Sequence, residues 1–283
     1  MAQNKPTTDE HYIPQCYLKQ FSSDGERIYQ YDVLSGKQTP VPVPTKSVCY
    51  QKHLYEFRDS SGAFAYRNLI EKSFGIYEGE FAKTFRSIIS KSRIEVNYHT
   101  LCFLSPKEKA LLVFFLSTMI VRNPDILQTA QETALEFFGD QITEISARNL
   151  ALQTCLPIYK ALDTEERNLL NPVMWFFEDM SFQIGVADSE VFFTSDSPVI
   201  LFGTNQPVKL DEVIMPISPN IVLFMKPYDN TRRGFYNRLT ELRPEDIKYV
   251  NKAVVTHCKR WIYSQTPLTD KQIKWITKER ASY

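Results

Sequence analysis

The N-terminal stretch His11-Tyr-Ile-Pro14-Gln15 contains a candidate catalytic histidine. Proline has a fixed φ and favours an extended conformation at the preceding residue, so the pattern predicts that His11 lies on a rigid, extended segment. An imidazole titrates near neutral pH, which suits proton transfer or metal binding. Gln15 is a candidate substrate-binding residue. The alternative is a buried structural histidine that hydrogen-bonds the backbone.

Two glutamates, Glu71 and Glu78, form a second candidate group. They are seven residues apart in a helical pattern, so both side chains project from one face of the helix. Paired carboxylates bind Mg²⁺ or Mn²⁺, or divide acid and base roles between them. We therefore treat both as candidate catalytic residues and as candidate ligands of a divalent metal ion. The alternative is two ordinary glutamates on a helix surface.

Asp196 and Arg122 complete the set of candidate site residues. Asp196 lies in a short loop expected between two apolar strands, a place that often carries site residues. It is a candidate catalytic residue and third metal ligand, and the alternative is an Asx-turn in which its carboxylate accepts nearby backbone N–H groups. Arg122 follows a very apolar helical stretch and is a candidate phosphate ligand. It could also hold Glu71 or Asp196 in place, and a structural ion pair explains it at least as well.

Several motifs of this chain recur in the same order in a known protein family. They are His11–Phe21, Leu54-Tyr55-Glu56, Ile70-Glu71 with Glu78, Arg122-Asn123-Pro124, Phe193–Val199, Met215–Pro219 and Val250-Asn251. This ordered set resembles the domain-of-unknown-function family 4238 and covers most of the chain. The resemblance implies no settled activity. It does imply a setting, because some members look like anti-phage defence proteins carried by prophages and their satellites.

The composition is that of a folded protein, with 43 % apolar residues in 283. Lys+Arg and Asp+Glu are both 33, so the whole surface does not attract nucleic acid, although a local basic groove remains open. The five cysteines are odd in number and form no C-x-x-C pair, which favours a reducing cytoplasm over a disulfide framework. The N-terminus lacks the apolar core of a signal peptide, and the apolar run 110–121 is too short to span a membrane.

The elements that must position these residues fall into regions along the chain. We predict an extended, strand-rich segment over 11–66, a helical region over 67–182, a strand-rich region over 189–265 and a terminal helix over 268–280. Strands, helices and strands again, without βα alternation, indicate an α+β fold. In this fold the extended N-terminal segment and a C-terminal antiparallel or mixed sheet pack on the central helices. We expect a single domain over 1–283.

Local signals define some elements more closely. Ser105, Pro106 and Glu108 predict a helix start, as cap, first helical residue and capping-box partner. Arg122-Asn-Pro124 is expected to end or kink that helix. Further predicted elements are a strand over 48–57 and helices over 127–152 and 163–182.

Two functions from different classes follow. In the first, the chain is an anti-phage effector that hydrolyses phosphodiester bonds of nucleic acid or nucleotides, with or without Mg²⁺ or Mn²⁺. In the second, it is a non-enzymatic sensor that recognises a phage component, and the same polar residues form a buried structural network. Neutral net charge weakens the case for a nucleic-acid partner without removing it. We expect no membrane partner.

Overall fold

The structure, a computed structural model, describes residues 7–95, 102–156, 177, 179–189, 191–205, 208–228 and 237–282. It confirms the α+β fold. The helices in these ranges are α1 Gln15–Leu18, α2 Leu69–Glu95, α3 Pro106–Val121, α4 Pro124–Phe138, α5 Glu144–Cys155, α6 Pro244–His257 and α7 Asp270–Ala281. The strands are β1 Asp9–His11, β2 Arg27–Asp32, β3 Lys37–Gln38, β4 Val43–Pro44, β5 Tyr50–Lys52, β6 Phe57–Arg58, β7 Phe64–Ala65, β8 Met180–Val186, β9 Thr194–Ser195, β10 Ile200–Asn205, β11 Val208–Ser218, β12 Ile221–Pro227, β13 Arg238–Glu241 and β14 Trp261–Ser264.

The first sheet contains strands from the C-terminal half of the chain, in the order β10-β11-β12-β8-β13. Its pairs are antiparallel except β13, which runs parallel to β8. This confirms a mixed sheet. Helix α6 lies against it and contacts β10 and β11.

The second sheet joins the two ends of the chain, in the order β3-β2-β14-β9. Strand β14 lies between β2 and β9 and is antiparallel to both. Strand β4, with its proline, pairs β2 outside this path, as expected for an edge position. Two small pairs, β1 with β5 and β6 with β7, complete the described sheets.

The central helices bury an aromatic core. Helix α3 begins as predicted, because Ser105 and Glu108 form a full capping box and Pro106 is the first helical residue. The ring centroids of Phe85 on α2 and Phe115 on α3 are 4.8 Å apart in an edge-to-face contact. Tyr17 of α1 packs on the same cluster, so the segment after His11 is tied to the core.

Two of the predicted elements differ in the structure. The strand predicted over 48–57 is wrong, because His53 has a φ of 57° and breaks it into β5 and β6. The helix predicted over 127–152 is two helices, since Gly139 adopts a φ of 52° after α4 and Thr143 caps α5. Both breaks occur at residues with a positive φ, His53 and Gly139.

Most of the helix predicted over 163–182 lies outside the described residues. Its C-terminal end is wrong, because Met180 begins strand β8. In the described ranges, no single helix is long and apolar enough to cross a membrane. Helix α3 and the segment 124–141 together have that length and apolar composition, but a bend of 60° separates them.

Candidate active site

Arg122 lies at the centre of the candidate site. It is the residue after α3, its side chain is 1 % exposed, and its guanidinium group makes contacts in three directions. Nη1 donates to Glu78 Oε1 at 3.0 Å, and Nη2 donates to the carbonyl oxygen of His11 at 2.5 Å. The guanidinium carbon lies 3.9 Å from the ring centroid of Phe74. Arg122 therefore fixes β1 against α2.

The prediction that Arg122 binds a phosphate does not agree with this geometry. A guanidinium that is almost fully buried and already holds Glu78 and the backbone of His11 has no face left for a substrate. Its Nε lacks a hydrogen-bond partner among the described residues, but that atom too is buried. The alternative of an ion pair is correct, with Glu78 as the partner rather than Glu71 or Asp196.

Glu71 and Glu78 do share one side of α2, as their spacing predicted. Glu78 is held by Arg122 and keeps 29 % of its side chain exposed. Glu71 is half-buried, and its Oε2 is buried without a partner among the described residues. Burial raises the pKa of Glu71 to about 7, while the positive charge of Arg122 acts in the opposite direction. One carboxyl group is thus ion-paired, and its neighbour exchanges a proton near neutral pH.

Two further glutamates and a tyrosine lie here that sequence reasoning did not select. Glu10 of β1 is 0 % exposed and accepts the Tyr55 N–H at 2.6 Å through Oε2, while Oε1 has no described partner. Burial raises the pKa of Glu10 to about 7. Glu56 is 1 % exposed and pairs with Arg67 at 3.0 Å. We call Glu10, Glu56, Glu71 and Glu78 the carboxylate cluster. Leu54-Tyr55-Glu56 had appeared only among the motifs of the family resemblance.

His11 ends strand β1, on the extended backbone that Pro14 predicted. Its ring nitrogen Nε2 lies 3.1 Å from the carbonyl oxygen of Lys46. A carbonyl can only accept, so Nε2 carries a proton and Nδ1 of the neutral ring is the acceptor. Burial lowers the pKa of His11, and the nearby charge of Arg122 lowers it further. His11 is therefore a neutral proton acceptor at neutral pH.

The residues that follow His11 are less directly placed at the site. Gln15 begins α1 and is half-buried; its carbonyl oxygen accepts the N–H of Lys19, and its side chain makes no hydrogen bond to the described part of the chain. Cys16 is close enough to Glu78 and Arg122 to feel both charges, but burial raises the pKa of its thiol to about 12. The thiol is therefore protonated at neutral pH and is a poor nucleophile.

Asp196 belongs to a different environment. Its Oδ1 accepts the N–H of Lys259 at 2.9 Å, and its Oδ2 accepts those of Arg260 at 2.8 Å and Trp261 at 3.0 Å. Burial nevertheless raises the pKa of Asp196. The alternative of a turn closed by nearby N–H groups is therefore wrong, because the carboxylate accepts N–H groups that lie 63–65 residues away in the sequence.

A cavity of about 180 Å³ lies beside Asp196. Its lining residues include Asp196, Tyr12 and Asn123. Tyr12 directly follows His11, and Asn123 directly follows Arg122. The same two segments therefore contribute residues both to the surroundings of the carboxylate cluster and to the lining of this cavity. The hydroxyl of Ser197, also in the lining, is buried without a described partner.

The predicted metal site of Glu71, Glu78 and Asp196 does not form. The oxygens of Asp196 are occupied by backbone donors, and its charge is coupled to Tyr12, Cys49 and Tyr263 rather than to the carboxylate cluster. Within the described ranges, no group of three or more His, Cys, Asp or Glu side chains is arranged to hold a metal ion. These residues do not fit the Mg²⁺ or Mn²⁺ site that the sequence suggested.

The segments that meet at Arg122 carry several of the motifs noted in the sequence, and they fall inside one family match. The model of the family described as "Protein of unknown function (DUF4238)" matches residues 10–267. The chain belongs to the DUF4238 family. No curated protein and no solved structure matches it.

The fold explains why these DUF4238 motifs occur far apart in the sequence. His11, Tyr55, Glu78 and Arg122 come from four separate motifs, and the Tyr55 hydroxyl lies 3.1 Å from the carbonyl oxygen of Arg122 and 3.3 Å from that of His11. The Asp196 motif joins the same region through the cavity beside Tyr12. The motifs thus describe one connected polar region with two differently organised halves.

Proposed function

We propose that this DUF4238 protein is a hydrolase that uses the carboxylate cluster for acid–base chemistry. The observation that carries the proposal is Glu71, a half-buried residue whose carboxyl pKa is raised to about 7 by burial and whose buried oxygen lacks a described partner. It lies beside Glu78, which Arg122 fixes in place. Neighbouring titratable groups in such unlike environments are typical of acid and base roles.

In this proposal Glu71 is the general acid and His11 the general base. His11 accepts a proton from the attacking water through Nδ1, and Glu71 gives a proton to the leaving oxygen. Both groups border the same Arg122–Glu78 pair, because each is electrostatically coupled to both of its members. Arg122 is a positioning residue that holds Glu78 and the backbone of His11.

The substrate class and setting come from the resemblance rather than from the geometry. We propose nucleic acid or a nucleotide as substrate, cleaved at a phosphodiester or phosphoanhydride bond, in a cytoplasmic effector of anti-phage defence. A phage-derived trigger fits that setting. All five cysteines are free thiols, which is compatible with a reducing compartment.

The test uses the purified full chain and a matched pair of variants. Wild type, Glu71→Gln and Glu80→Gln are incubated with RNA, DNA and a nucleotide mixture, with Mg²⁺, with Mn²⁺ or with a chelator. Glu80 is on the same helix and pairs with Lys83 at 2.6 Å away from the cluster. We expect wild type and Glu80→Gln to consume the substrate at equal rates. Glu71→Gln should consume it at least a hundred-fold more slowly. Equal rates for all three proteins would refute the assignment of Glu71.

A plaque assay with the same variants links the chemistry to defence. Protection should be lost with Glu71→Gln and with His11→Ala at matched protein levels. His11→Ala keeps the backbone carbonyl that Arg122 binds, so the fold should survive. Full protection by both variants would show that the cluster is structural.

A second candidate function, a non-enzymatic sensor, has one observation in its favour. Phe137 is 81 % exposed and Phe138 is 39 % exposed at the end of α4, with ring centroids 4.9 Å apart. Exposed aromatic pairs are typical anchors of protein interfaces. Loss of protection with Phe137→Ser, together with full protection by Glu71→Gln, would favour the sensor.

A further inference from the structure

A cavity of about 430 Å³ lies between α6 and α7, away from the carboxylate cluster. It is lined by Phe193, Lys248, Asn251, Lys271, Gln272 and Trp275. Phe193 and Trp275 belong to the smaller hydrophobic core around α6, whereas Tyr55 and Phe74 of the candidate active site belong to the larger one. The volume is within the range of about 300–1,000 Å³ that small-molecule sites occupy.

One wall of the cavity is aromatic. Phe193 is 3 % exposed, while Trp275 is half-buried, and their ring centroids are 6.4 Å apart. The indole packs against the buried phenylalanine ring, and Trp275 lines the cavity. An indole held in this way offers a surface on which a planar ring can stack.

The charged part of the lining is positive. Lys248 on α6 and Lys271 in the first turn of α7 are both exposed, and the lining contains no carboxylate. Nearby cations are paired, since Lys252 binds Glu279 at 3.0 Å and Arg243 binds Asp246 at 3.1 Å. In the described part of the chain Lys248 and Lys271 form no such ion pair. The amino end of α7 adds partial positive charge on the same side.

The orientation of the Asn251 side chain is fixed. Its Nδ2 donates to the carbonyl oxygen of Val191 at 3.0 Å, which sets the amide so that Oδ1 is the free atom. Oδ1 is buried without a described partner. Oδ1 is closed to solvent in this structure, so Asn251 contributes to the wall of the cavity and offers no hydrogen bond to a ligand there.

We propose that this cavity binds a nucleotide, with the base against Trp275 and the phosphate between Lys248 and Lys271. We propose a free nucleotide rather than a nucleic-acid strand, because the lining contains only two cationic side chains and the net charge of the chain is +0. The inference is independent of the proposed hydrolase, since it uses none of the residues around Arg122.

The experiment is isothermal titration calorimetry on the full chain with the four ribonucleoside monophosphates and triphosphates, adenosine, and inorganic phosphate. The same titrations on Glu71→Gln separate binding from the proposed hydrolysis. Expected is binding of at least one nucleotide to both proteins, with adenosine or phosphate alone at least ten-fold weaker. No detectable binding of any nucleotide at millimolar concentration would overturn the proposal, whatever the outcome for hydrolysis.

Variants then assign the binding to this cavity. Lys271→Ala and Lys248→Ala should each weaken nucleotide binding about five-fold or more, whereas Lys274→Ala should not, because Lys274 is exposed on α7 outside the lining. Trp275→Ala should weaken it at least five-fold, and Trp275→Phe should recover part of the loss. Unchanged affinity in the lysine variants would overturn the site. So would a short single-stranded oligonucleotide that binds at least ten-fold tighter than any mononucleotide through these same residues.

Discussion

Glu71 and Asp196 are both carboxyl groups held away from water, and the difference between them is instructive. Asp196 has three backbone N–H donors, all within 3.0 Å. Glu71 has a buried oxygen with no described partner and faces Arg122, which is already bound to Glu78. Burial raises the pKa of each. The two residues differ in the state of their hydrogen bonds, and the proposed role of Glu71 rests on that difference rather than on burial.

Asp196→Ala should give the largest effect on stability. It leaves three backbone N–H groups without an acceptor, and each unsatisfied donor costs about 1–3 kcal/mol. We expect a loss of about 3 kcal/mol or more in the free energy of unfolding, measured by urea denaturation. Asp188→Ala, at an exposed bend, is the control and should stay within about 0.5 kcal/mol. Equal midpoints for the two variants would break the comparison.

Arg122→Met should give the next largest effect. The apolar replacement keeps the packing on Phe74 but removes the bonds to Glu78 and to the carbonyl oxygen of His11, at a cost of about 2–3 kcal/mol. The pKa of Glu71 should rise further, because Arg122 is the charge that lowers it. Carboxyl NMR titration checks this shift. Arg86→Met, exposed on α2, should change neither quantity.

The pH dependence of stability sharpens the same comparison. The pKa of Glu71 and that of Glu10 are about 7 in the folded protein against an ordinary 4.5, so the folded state binds more protons between these values. Stability should therefore be highest near pH 4.5 and fall as pH rises to 7, by at most about 1.4 kcal/mol per pH unit for one group. Urea midpoints at pH 5, 6 and 7 measure the slope.

Glu71→Gln should remove the Glu71 part of that slope. A slope identical to wild type would mean that Glu71 is ionised throughout this range. The variant should also have the smallest effect on stability at pH 7, within about 1 kcal/mol, since an uncharged amide resembles the protonated acid.

Asp196→Asn, the matching change, should destabilise clearly because it turns an amide N–H₂ towards N–H donors. Similar losses of unfolding free energy in Glu71→Gln and Asp196→Asn would show that the two carboxyl groups do not differ in this way.

Much of the fold could be predicted because its signals are local. The capping box at Ser105, the apolar run of α3 and the proline that opens α6 each identify a helix within a few residues. Strand β8 was missed because it begins inside the stretch predicted as a helix over 163–182. The breaks at His53 and Gly139 depend on left-handed backbone conformations that tertiary packing selects.

The candidate site was predictable only in part. The spacing of Glu71 and Glu78 on one helix is a local property, and the structure confirms that they lie together. The burial of Glu10 could not be predicted from the sequence, because a single acidic residue in a short strand is usually exposed. Its contact with the N–H of Tyr55 depends on the tertiary fold. Asp196 was assigned to the same site as Glu71, but its donors come from 259–261, and no pattern around Asp196 points to them.

The position of β14 has a consequence for the order of events during synthesis. Strand β2 at 27–32 cannot gain its partner on that side, and Asp196 cannot gain its three donors, until 259–264 have left the ribosome. Pairings between such distant segments form slowly. The second sheet is thus completed after translation of nearly all of the matched region, and any activity that depends on the finished fold starts only then. A chain stopped before residue 259 would lack both features and would be an early target for proteases.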